Sequence, residues 1–187
     1  MRTLFTTLTL LLVGAAASAL PLHRDTLSNG LVVLTYEDSR LAMADVALVC
    51  RSGHDADPLD RAGLALLTAQ MLGRGTRSMS ADSFAAVVEF LGARIDGTAA
   101  EDHSRVSGRV LSRDFTTGLD LLADAVLNPA FDTTELELAR RQALSGARRR
   151  RADPGLQVSY ELDRLLFPGH PFSAPGHGDT SSLRAIS

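Results

Sequence analysis

Apolar and polar positions along this chain change period several times, and each change marks an element. Over residues 61–76 (RAGLALLTAQMLGRGT), Leu64, Leu67, Met71 and Leu72 fall at i, i+3, i+7 and i+8. That spacing puts them on one buried face of a helix, and Gly73 and Gly75 stop it. Residues 31–36 (LVVLTY) form a β-branched run after the turn Ser28-Asn29-Gly30 and read as a strand. Residues 42–51 alternate through Val46, Leu48 and Cys50 and read as a second strand. Ser80 is placed to cap a helix that runs to Leu91, with Phe84, Val87, Val88 and Leu91 as its apolar face. Residues 94–100 and 102–111 read as a strand pair. Three helices follow. The first covers 115–127, with Leu119, Leu122, Ala123 and Val126 inward. The second runs from a Thr133 or Thr134 cap to about Arg151. The third covers 157–167, with Val158, Leu162, Leu165 and Leu166 on its apolar side, after a break at Asp153-Pro154-Gly155.

The first nineteen residues follow a different pattern. Arg2 precedes an apolar run from Leu8 to Val13, and small residues then lead to Ala17-Ser18-Ala19. These are the parts of a secretory signal peptide over residues 1–19, with its cleavage site. The run is too short to span a bilayer, so no membrane span is expected once the signal is removed. The expected destination is the periplasm or the outside of the cell. The net charge of −3 offers no basic field for nucleic acid. The one cysteine, Cys50, excludes an intrachain disulfide and CxxC motifs. Its place in an apolar strand reads as a buried structural thiol. His54-Asp55-Ala56-Asp57-Pro58 reads as a solvated loop. The run Arg148-Arg149-Arg150-Arg151 reads either as a solvated helix end, with cations suiting the negative pole of the helix, or as a docking patch for an acidic partner.

Short motifs recur in a fixed order. They are Leu27-Ser28-Asn29-Gly30-Leu31, Ser52-Gly53, Gly63-Leu64-Ala65, Met71-Leu72 with Gly75-Thr76, Asn128-Pro129-Ala130-Phe131, Phe167-Pro168-Gly169-His170-Pro171-Phe172, and Gly176-His177-Gly178. In these the chain resembles the insulinase/pitrilysin/mitochondrial-processing-peptidase family of zinc peptidases. The resemblance implies an α+β fold: a mostly antiparallel sheet with helices packed on one face. It also implies that residues 20–187 are an incomplete N-terminal peptidase-like domain with its last strands missing. In the family a second domain of the same fold follows, and its C-terminal half can carry an Arg/Tyr pair that helps hold the substrate carbonyl.

The family's zinc helix reads HxxEH. Two His four residues apart share one zinc, and the Glu between them takes a proton from its water. On this chain the first His falls on Leu66, the general base on Ala69 and the second His on Gln70. With Asp153-Pro154 as the anchor, the third ligand falls on Gly146, and the acid that supports the ligands falls on Ala139. Glu135 and Glu137 lie too early on the helix to substitute. Leu, Ala and Gly cannot ligate, and Gln70 offers only a neutral amide oxygen. The resemblance therefore implies a zinc-motif-less member, with no catalytic residue, no metal ligand and no zinc cofactor. Its expected role is the zinc-less subunit or half that pairs with a zinc-bearing, HxxEH-bearing homologous peptidase subunit in peptide degradation or processing. Two other roles stay open. One is an active zinc metalloendopeptidase with an atypical site drawn from His54, His103, His170 or His177. The other is a structural or binding module of an envelope complex. In the family, the strand matched by Asp96-Gly97-Thr98 is a sheet edge where substrate peptides add as an extra strand. Backbone pairing at an edge needs no particular side chain, so peptide binding there can outlive the zinc. An edge covered by the rest of the molecule is the alternative.

Overall fold

The computed structural model describes residues 22–187; the signal peptide read over residues 1–19 lies outside them. The described chain divides into two compact units, residues 22–41 and Ala42–Ser187. In the first, β1 (Leu22–Thr26) and β2 (Val32–Tyr36) pair as an antiparallel hairpin. Its turn is held by Asn29, whose side-chain oxygen accepts the Leu31 N–H at 3.1 Å, and by Gly30 at a φ of 85°.

The second unit contains β3 (Met43–Cys50), α1 (Leu64–Met71), α2 (Ala81–Phe90), β4 (Arg94–Ala99), β5 (Ser104–Leu111), α3 (Phe115–Leu127), α4 (Thr133–Arg151), α5 (Pro154–Leu166) and α6 (Ser182–Ala185). The three strands form an antiparallel sheet in the order β3-β5-β4. Gly108 sits opposite both Val46 and Ile95, and Val106 opposite both Leu48 and Gly97. Cross-strand partners share a face. One face therefore carries Val46, Leu48, Ile95, Gly97, Val106, Gly108 and Val110. The helices pack on this face: α1 sets Ala69 against Gly97, and α3 sets Gly118 against Val110. The other face is polar, with ion pairs between Arg109 and Asp45 (2.6 Å) and between Arg94 and Asp96. This is the expected α+β arrangement, with helices on one face of an antiparallel sheet. One core cluster joins α1, α4 and the C-terminal segment through Leu67, Met71, Ala139, Ala147, Leu183 and Ile186. A second joins α2 and α3 through Phe84, Leu121 and Ala125.

Several local expectations need correction. Residues 54–58 are not a solvated loop, because His54 and Asp57 are buried. The Asp57 carboxylate accepts the Gly63 N–H at 2.9 Å and the Ala65 N–H at 2.8 Å. Gly63 stands at the N-cap with φ 93° and has no side chain to cap α1, so the acceptor comes from six residues back. Cys50 is exposed, not buried. It ends β3, where the alternation fails and Val49 is exposed as well. In α3 the buried residues are Leu121, Leu122 and Ala125, and Leu119 is exposed. The cap of α4 is Asp132, which accepts the N–H groups of Thr134 and Glu135, and neither threonine takes that role. Asp153-Pro154-Gly155 starts a helix: Asp153 accepts the Gly155 N–H at 2.9 Å, and Pro154 takes the first turn, where its missing N–H costs nothing. On α5, Val158 and Leu165 are 71% and 75% exposed, and Leu162 and Leu166 are exposed too. The stripe is amphipathic, but no described element covers it.

In this unit α1 lies directly against β4. A side chain at position 97 would begin 1.8 Å from the Ala69 carbonyl oxygen. Gly97→Ala is expected to destabilise the protein by about 1–3 kcal/mol, the usual range for overpacking against backbone. Gly108→Ala, whose added methyl meets nothing nearer than 3.7 Å, is the control. Urea denaturation of both variants checks this, and equal midpoints would contradict it.

Candidate functional site

The α1–β4 contact builds a cleft of about 990 Å³. Leu66 and Gln70 stand one turn apart on α1, Gly146 sits on α4, and Asp96, Gly97 and Thr98 belong to β4; all six line this cleft. The structure thus brings together the three positions matched to the family's zinc ligands and sets them beside the strand matched to its peptide-binding edge. The other two positions are elsewhere. Ala69 is 3% exposed and packs on Gly97. Ala139 is 1% exposed, in the core with Leu67 and Met71.

A protein zinc site takes three or four N, S or O ligands at about 2.0–2.3 Å. The cleft offers a hydrocarbon at 66, an amide at 70 and no side chain at 146. Among the described residues, no group of three or more His, Cys, Asp or Glu is placed to hold a metal. The residues present do not fit a zinc ion. The histidines of the atypical-site reading do not gather either. His103 hydrogen-bonds the neighbouring Asp102 at 2.7 Å. His170 packs its ring on Phe172 and accepts that residue's N–H through Nδ1. His54 and His177 approach to 6.2 Å between ring centroids, but no third ligand joins them.

A cation of the protein itself lies beside the third ligand position. Arg150 is one turn beyond Gly146 on α4, and helical side chains lean toward the N-terminus over the preceding turn. Its Nη1 lies 3.2 Å from where a Cβ at 146 would be, and Nη2 and Cζ lie at 3.8 Å. The bare glycine makes room for the guanidinium. The Arg150 Nε is buried without a hydrogen-bond partner among the described residues. The arginine run is therefore not one surface: Arg148, Arg149 and Arg151 are exposed and Arg150 is half-buried. Reading the run as a unit hid this, although the four-residue spacing from Gly146 to Arg150 was visible.

Two of the other arginines around the cleft are paired. Arg74 donates to Glu135 at 3.1 Å and to Gln142 at 2.8 Å, so Glu135 lines the cleft with its carboxylate engaged. Arg94 pairs with Asp96. His177 also lines the cleft. Desolvation, and then the Arg150 cation and His54, hold its imidazole below the ordinary value, while Glu101 opposes them. Burial pushes the Asp57 carboxyl up, against the Ala65 and Gly63 N–H groups that favour its anion. On its outer side, away from β5, β4 has no strand partner among the described residues.

A helix laid over a sheet edge, with the three positions that the resemblance matches to zinc ligands lining one cleft, is the arrangement the resemblance to a zinc-peptidase domain implies. The sequence pattern of the family described as Insulinase (Peptidase family M16) matches residues 32–162, and the chain belongs to that family. An uncharacterized zinc protease of Mycobacterium leprae is 27% identical over 172 residues, covering 92% of this chain and 39% of that protein. The non-peptidase homolog YmxG of Helicobacter pylori is 25% identical over 174 residues, covering 93% and 40%. The crystal structure of a peptidase M16 inactive domain from Pseudomonas fluorescens matches with a TM-score of 0.83 and 30% identity, over 90% of this chain and 41% of that one. The chain spans about two fifths of the length of these curated relatives.

The neutral His177 imidazole is the form the fold favours. Its contribution to stability is present above the ordinary value of about 6.5 and is lost as pH falls through the lowered folded-state value. An NMR titration is expected to place His177 below the ordinary imidazole range, and Arg150→Gln is expected to move it upward. An unchanged midpoint in that variant would show that the guanidinium does not face His177.

Proposed function

We propose that this chain is a non-catalytic member of the M16 family, acting as the zinc-less half of an exported peptidase assembly. Its partner on this reading is a homologous subunit with an intact HxxEH, and its role is to shape the chamber and hold peptide. One observation carries the reading: Leu66, Gln70 and Gly146, the positions matched to the family's zinc ligands, line a single cleft and supply no ligand set among them. Ala69 and Ala139, at the positions of the general base and the supporting acid, are packed as core methyl groups. The scaffold is kept while the chemistry is gone, which suits a binding role and not hydrolysis. We assign peptide binding to the β4 edge at Asp96, Gly97 and Thr98, where backbone pairing requires no metal. Export to the periplasm or outside the cell rests on the leader pattern of residues 1–19. No helix among the described residues is long and apolar enough to cross a membrane.

Affinity capture of the tagged chain from the cell envelope, read by mass spectrometry, tests the pairing. Co-purification of a homologue that carries HxxEH is expected. Recovery of the chain alone, or with unrelated envelope proteins, would sink the heteromeric reading and favour a structural or binding module.

A further inference from the structure

The cleft is not electrically neutral. Five arginines line it: Arg74, Arg94, Arg105, Arg149 and Arg150. Two are matched, Arg74 by Glu135 and Arg94 by Asp96. Arg105, Arg149 and Arg150 have no carboxylate within ion-pair distance among the described residues, and the one lining carboxylate without a cationic partner there is Asp82. This surplus of positive charge sits in a chain whose net charge is −3. Arg149 lends one Nη to Ser145 at 3.0 Å, and Arg105 belongs to the polar face of the sheet, opposite Thr98. Arg150 differs from both. It is half-buried, it is seated over the side-chain-free Gly146, and its Nε has no acceptor. A guanidinium keeps its charge at any physiological pH and presents parallel N–H donors that match the two oxygens of a carboxylate.

We propose that Arg150 makes the former metal position a carboxylate-reading subsite, which selects extended peptides that place a carboxylate over Gly146 while pairing with the β4 edge. A fixed protein cation thus stands where the family places a metal cation, and it binds its ligand without activating water. The inference rests on the β4-edge reading above. It adds to it a substrate class: peptides bearing a carboxylate, supplied either by an acidic side chain or by the chain terminus.

Fluorescence anisotropy with this chain tests this. The probes are extended octapeptides with a central Glu or Gln, each with a free or an amidated C-terminus. The amidated Glu peptide is expected to bind at least about tenfold more tightly than the amidated Gln peptide, as a charge-assisted hydrogen bond allows. Arg150→Gln is expected to bring that ratio below about twofold, while Arg148→Gln, an exposed member of the same run, leaves it in place. If the free-acid Gln peptide instead matches the Glu peptide and both amidated forms bind weakly, the subsite reads a chain terminus, and the proposal stands with that source. Should Arg150→Gln fail to fold, high salt replaces it: the preference must fall as ions screen the half-exposed pair. Equal binding of all four peptides, or a preference that survives Arg150→Gln or high salt unchanged, overturns the subsite and leaves the β4 edge standing. Binding of none of them overturns both.

Discussion

The absence of one side chain decides how the unit Ala42–Ser187 is packed. Gly97 lets α1 rest its backbone directly on β4, and any side chain there would meet the Ala69 carbonyl oxygen. Close backbone approach is what glycine in a strand permits. From that contact the rest follows. Leu67 and Met71 are driven into the core beside Ala139 and Ala147, which brings α4 alongside α1. Leu66 and Gln70 are left facing the space between α1, α4 and the strand edge. Asp57, buried like the nearby His54, then fixes where α1 begins.

The same packing holds the cleft open without any metal ligand set at Leu66, Gln70 and Gly146. The matched ligand positions are held by the backbone of α1 and α4, so the identity of their side chains does not decide whether the cleft forms. A catalytic zinc supplies positive charge and activates a water. Arg150 supplies the charge alone. The guanidinium lies over Gly146, where a Cβ would stand 3.2 Å from its Nη1. An unpaired guanidinium at the wall of a cleft is costly if desolvated. Half-burial keeps that cost moderate and leaves the group able to take an anion.

Much of the fold was legible in the sequence because its signals were local or periodic. The α1 stripe, the Ser80 cap, the β4–β5 pair and the order of family motifs all lie within short windows. The degenerate positions Leu66, Gln70 and Gly146 were legible through the resemblance, and the structure places them on one cleft. What was missed depends on neighbours distant in the chain. Asp57 caps a helix six residues on. Cys50 is exposed because β3 ends there. Leu119 loses its place to Leu121 and Ala125 because α3 is turned to meet β5 and α2. The inward arginine was hidden by its three exposed neighbours, since a run of like charges carries no mark of which member folds back. The apolar side of α5 was read correctly as a stripe, but a stripe does not say what covers it.

Zinc binding distinguishes a cleft that holds a fixed cation from one that holds a metal. Isothermal titration with zinc is to be run on the unmodified chain and on the variant Leu66→His, Ala69→Glu, Gln70→His, Gly146→Glu, with and without Arg150→Gln. The account predicts no zinc binding by the unmodified chain and weak binding by the fourfold variant, because Arg150 would pair with the new carboxylate and repel the metal. Removing Arg150 should then strengthen binding. Tight, stoichiometric zinc in the unmodified chain would contradict the account, as would restored binding indifferent to Arg150.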